Sequence, residues 1–203
     1  MAERVGQRRI EESSAMPEIT ETFYTADPQE WRAWLTDNWD KKSEIWLVLP
    51  RQSSGKPRIS YNDSVEQALC FGWIDSIQKP FGDVSAVQRF TPRKIKGHYS
   101  QPNIERLRYL AQTNQLLPHI LEAARPELEK VFIFPDDIMQ AIKAKTLAYQ
   151  NFQRFSPAYQ RLRVAFVDGA RRRPDEFAKR LQSLIASLEK GKQVGYGGIE
   201  KYY

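Results

Sequence analysis

The 203 residues hold 31 Lys and Arg against 25 Asp and Glu, a formal net charge of +6, with 41% hydrophobic and 12% aromatic residues. That apolar content builds a core and excludes global disorder, and the length suits one large domain or two small ones. The longest apolar run, Ile45–Leu49, is far short of the roughly 20 residues of a membrane-spanning helix.

Residues 1–18 mix charge with Ser, Gln and Gly and read as a mobile tail without the apolar centre of a secretory signal. Thr20–Thr25 reads as a short strand. Asp27 then caps a helix with Pro28 at its first position, where a missing N–H costs nothing, and Trp31, Trp34 and Leu35 share one face at helical spacing. Ile45–Leu49 is a buried strand ended by Pro50, and Arg51–Arg58, with Ser, Gly and Pro, is a loop. Ser60, with Asp63 three residues on, opens the next helix. Val65, Ala68 and Leu69 face inward and Gly72 closes it. Trp73–Lys79 and Val84–Thr91 form an antiparallel hairpin across Phe81-Gly82-Asp83, with Trp73, Asp75 and Ile77 on one side.

After Pro102 the pattern is helical. Ile104, Leu107, Leu110 and Ala111 fit one helix, and Pro118 and Pro126 sit at or near later starts. Pro135-Asp136-Asp137, Ser156-Pro157 and Pro174-Asp175-Glu176 open three more, with acids where the helix dipole favours them. The last carries Phe177, Leu181, Leu184, Ile185 and Leu188 as a stripe ending at Gly191. The fold class is α+β: a small mixed domain over residues 19–101 with an antiparallel hairpin, an all-helical domain over 102–191, and a Gly/Tyr-rich tail over 192–203.

The block ALCFGWIDS (Ala68–Ser76), with Tyr61 before it, and QRFTPR (Gln88–Arg93), followed by Ser100 and Asn103, resembles the YdeI/OmpD-associated, or bacteriocin-protection, family. A weaker echo lies in Ala170, Pro174, Asp175 and Arg180. Val65, Tyr99 and Glu176-Phe177 depart from the family pattern, and the last two weaken any carry-over of side-chain chemistry there. The resemblance implies a stress- or envelope-related accessory role, beside a porin by the family's name. It implies no reaction. Without a visible export signal, and with one cysteine, the expected location is cytoplasmic.

Chemistry-bearing residues are few. Cys70 lies between Leu69 and Phe71, a setting that buries a thiol and raises its pKa, so it reads as core rather than as a nucleophile for His98 or His119. Neither histidine has metal-ligand spacing and no Gly-rich phosphate loop follows a strand; no metal, cofactor or catalytic residue is expected. From Gln78 to Tyr109 seven basic residues face two acids, a field that attracts anions. Asp75 is expected to pair with Arg89 or Arg93. Phe90, Arg93, Lys94, Lys96, His98 and Tyr99 form a basic and aromatic group, and Arg171–Arg173 reads as a charge cluster at a helix end. The expectation is a binding surface built from Asp75, Arg89, Arg93, Lys94, Lys96 and Tyr99 for an acidic protein or small anion. Two alternatives stand beside it: a nucleic-acid binder using the same surface, and an enzyme with an inter-domain pocket.

Overall fold

The computed structural model describes residues 17–94, 99–195 and 198–203. Strands β1 (Thr22–Tyr24), β2 (Ile45–Pro50), β3 (Trp73–Phe81) and β4 (Ser85–Pro92) make one sheet in the order β1-β2-β4-β3. β1 runs parallel to β2, and the other pairs are antiparallel. The parallel pair requires a crossover, which helix α1 (Pro28–Asn38) supplies; Asp27 caps it by accepting from the Gln29 N–H. Helix α2 (Tyr61–Cys70) links β2 to β3. Its cap, Ser60, accepts from the Asp63 N–H and donates to the Asp63 carboxylate, and Gly72 ends it at φ +73°, a conformation that costs other residues energy.

Ile45, Leu47, Leu49, Trp73 and Phe90 point from the sheet into a core with Trp31, Leu35, Val65, Ala68 and Leu69. The hairpin departs from simple alternation. Asp75 pairs with Phe90, but Gln78 pairs with Gln88, so β3 carries one extra residue. Such a bulge shifts the phase of every later side chain. The face that begins with Trp73 and Asp75 therefore continues through Gln78, not Ile77.

Six helices follow: α3 (Gln101–Gln112), α4 (Pro118–Glu129), α5 (Asp136–Lys143), α6 (Thr146–Arg154), α7 (Pro157–Asp168) and α8 (Pro174–Glu189). Among the described residues no strand follows Pro102. Pro126 does not start a helix; it lies inside α4, which forgoes one backbone hydrogen bond there. The sequence reading placed no element at α6, whose start has no side-chain cap and whose buried face is only Ala148 and Phe152. Leu107 and Leu110 of α3 and Ala124 of α4 belong to the sheet's core, whereas Ile138, Ile142, Phe152, Val164, Val167, Leu184 and Leu188 make a second core from α5–α8. Glu105 of α3 and Arg161 of α7 join the two through a bidentate ion pair at 2.6 and 2.7 Å.

Candidate functional site

Among the residues singled out by sequence, the structure brings Arg93 and Tyr99 together and sets Asp75 and Arg89 on opposite faces of the sheet. Asp75 lies on the inner face of the sheet and accepts a hydrogen bond from the Tyr61 hydroxyl at 2.8 Å; the expected pairing with Arg89 or Arg93 is replaced by this contact. The reason is strand alternation. Phe90 points inward with Asp75, so Arg89 points to the opposite face beside Trp46 and grips Glu44 through Nε and Nη2. The Thr20 hydroxyl bond, with help from the Arg89 guanidinium, holds the Glu44 carboxyl below its ordinary range, against the opposing effect of burial. Arg93 stacks 3.5 Å from the centroid of the Tyr99 ring; burial pushes the Tyr99 phenol up, with Arg93 opposing. Lys94 is exposed. Lys96 and His98 lie outside the described residues.

Phe90 is fully buried, so it presents no face for a base to stack on. Cys70 is likewise buried, and burial pushes its thiol up while Arg32 opposes. Arg171 bridges Asp137 of α5 and Asp168 of α7, which accounts for the first arginine of the Arg171–Arg173 run as a link between helices.

A different arrangement stands out. An open cleft of about 880 Å³ lies between the inner face of the sheet and the start of α2. Leu49, Gln78, Pro80, Ala86 and Gln88 line it from the sheet, Ser60, Tyr61 and Asn62 from α2, and Arg51 and Arg58 from the loop before α2. Among the described residues no Asp or Glu lines it. Arg58 spends one nitrogen on the Pro50 carbonyl at 3.1 Å, and Arg51 has no side-chain partner among the described residues. Lys79 turns its ammonium away, to the Pro17 carbonyl at 2.5 Å and the Trp46 ring.

Gln88 decides what the cleft lacks. It is 5% exposed, lines the cleft, and its amide meets no hydrogen-bond partner among the described residues. Neither polar atom of that amide is sealed off, so both face the open cleft, where water or a polar ligand atom can meet them. The α2 start adds N–H groups and the positive end of the helix dipole. Sequence reasoning passed over Gln88 because the family block absorbed it. The available signal was its period-two spacing from Phe90, which puts a polar residue on a core face.

Beneath the cleft, buried polar groups tie α2 to later elements. Arg106 donates to Asn62 at 3.0 Å and to Asn103 at 2.9 Å, and Asn62 donates to Glu66 at 2.5 Å. Lys201 and Tyr202 of a C-terminal 3-10 helix (Ile199–Tyr202) also bind Glu66. Gly198, at φ +84°, forms part of the cleft wall. A Cβ there would stand 3.2 Å from the Asn62 Cβ, so this close approach favours glycine.

Residues 131–191 match the family model described as bacteriocin-protection, YdeI or OmpD-associated. The resemblance to that family holds. Residues 23–123 match a second model, a domain of unknown function, DUF8412. The Ala68–Ser76 and Gln88–Arg93 blocks fall under this second model, while the YdeI/OmpD-associated match covers the helical region that carried only the weaker echo. Residues 124–130, between the two matches, lie where the first core gives way to the second. No curated protein and no solved structure matches the chain. Among the described residues no helix is long and apolar enough to cross a membrane.

Proposed function

We propose that the protein is a non-enzymatic accessory protein that holds a small anionic molecule in the cleft between α2 and the sheet. One observation carries this reading: two arginines face a carboxylate-free cleft whose floor holds the unpartnered Gln88 amide. Guanidinium forks match carboxylate or phosphate oxygens in bidentate geometry, and helix N-terminal N–H groups donate to the same anions. Among the described residues the lining offers no histidine or cysteine, and Ser60 is committed to capping α2 through Asp63. That composition supports binding rather than covalent chemistry. Asp75 enters only by fixing the Tyr61 hydroxyl at the cleft's edge.

Calorimetric titration of the full chain with inorganic phosphate, citrate and adenosine monophosphate tests this, at low and moderate salt. At least one should bind with a dissociation constant of about 1 mM or tighter, roughly −4 kcal/mol. The double variant Arg51→Gln/Arg58→Gln should weaken it at least tenfold without lowering the melting temperature. No binding by the parent protein, or binding indifferent to both arginines, would overturn the reading. Tight capture of single-stranded DNA that survives added salt would replace it with nucleic-acid recognition.

A further inference from the structure

A second cavity, of about 280 Å³, lies between the start of α3, one face of α7 and the C-terminal 3-10 helix. It is independent of the cleft and shares no lining residue with it. Its walls are mainly apolar, with Leu162, Phe166, Ile199 and Tyr203 prominent, and no Asp or Glu lines it among the described residues. One charged group does: Arg163 of α7, 7% exposed. Its Nε has no hydrogen-bond partner; the guanidinium meets the phenol of Tyr203, a neutral group, and no Asp or Glu pairs with it among the described residues. The Phe166 ring lies 4.9 Å from the guanidinium carbon, a contact that offsets a small part of the cost. A buried guanidinium without a counter-ion is expensive. Its terminal nitrogens are not sealed in as Nε is, and face the cavity wall shared with Tyr203.

A second feature points the same way. Ser100 caps the twelve-residue helix α3, yet its hydroxyl makes no capping hydrogen bond, and it lines this cavity with Gln101. The positive end of α3 and Arg163 thus face one small apolar space. We infer that this cavity is a binding site for a small monocarboxylate with an apolar body, its carboxylate on Arg163 and the start of α3. A dianion such as phosphate would be desolvated against a single cation, whereas a planar carboxylate fits one guanidinium fork. The volume falls just under the roughly 300–1,000 Å³ of pockets for drug-sized ligands, so the body is short or a single ring.

The full chain is titrated with phenylacetate and hexanoate, and with their neutral counterparts 2-phenylethanol and 1-hexanol, by calorimetry. At least one carboxylate should bind at least tenfold more tightly than its alcohol. Arg163→Met should abolish that preference while lowering the melting temperature by no more than a few degrees, since the charge it removes meets only the neutral Tyr203 phenol and the Phe166 ring among the described residues. Ala165→Phe, which fills the cavity from α7, should block binding even if Arg163→Met fails to fold. Arg51→Gln/Arg58→Gln should leave carboxylate binding intact, which separates this site from the cleft. The inference is overturned if neither carboxylate binds, if the alcohols bind equally, if Ala165→Phe or a folded Arg163→Met still binds, or if the cleft variant loses binding.

Discussion

Replacing Glu105 by alanine removes the acceptor at which four donors meet. Arg161 donates through Nε and Nη2 at 2.6 and 2.7 Å, Arg108 at 2.8 Å and Gln101 at 2.7 Å. The Glu105 side chain is 3% exposed, while Arg161 and Arg108 are 21% and 23% exposed. Breaking a fully buried pair costs about 3–5 kcal/mol. Water reaches a fifth of each arginine and recovers part of that, so the expected loss is about 3 kcal/mol. For a chain of this size it corresponds to a fall in melting temperature of roughly 6–12 °C. Urea unfolding followed by circular dichroism measures it, with the midpoint falling and the slope unchanged. Because the pair links helices of the two cores, the variant should also split one transition into two, the regime in which a single unfolding energy loses meaning. A double-mutant cycle with Arg161→Ala should return a coupling of at least about 1 kcal/mol. A loss under about 0.5 kcal/mol, or strict additivity, would refute the claim that this carboxylate clamps α3 to α7.

Glu44, held below its ordinary range chiefly by Thr20 and then by Arg89, contributes stability that is complete above the unfolded glutamate value of about 4.3 and is lost as pH falls through its lower folded value. Glu44→Gln should therefore flatten the fall in melting temperature between about pH 5 and pH 3; an unchanged slope would remove the Thr20–Glu44–Arg89 contact as its cause. Asp75→Ala should cost about 1 kcal/mol, the scale of one hydrogen bond, because it frees only the Tyr61 hydroxyl. A chemical-denaturation loss of about 3 kcal/mol or more would instead signal a stranded cation, contrary to the observed pairing of Arg89 with Glu44.

Much of the local structure was legible because it depends on neighbours in the chain. Asp27 with Pro28, Ser60 with Asp63, and Gly72 carry their capping chemistry within a few residues, and each acts where the pattern places it. The hairpin and the burial of Cys70 follow from short-range alternation and apolar neighbours. Pro126 was misleading because proline is only a prior for a helix start, and the packing of Ala124 into the first core keeps α4 intact around it. The site was far less legible. Partner choice for Asp75 turned on which face of the sheet each side chain takes, and one extra residue in β3 changed the phase of everything after it.

Sequence by itself determined the α+β class, the caps, the hairpin and the family resemblance, since these rest on periodicity and on interactions spanning a few residues. Tertiary structure alone decided that Arg51, Arg58 and Gln88 share a carboxylate-free cleft and that Arg163 is buried without a counter-ion. Charge counts along a chain carry no information about which acids fold up beside which bases. Whether a cation is neutralised or left open to a ligand is set by contacts between residues far apart in sequence.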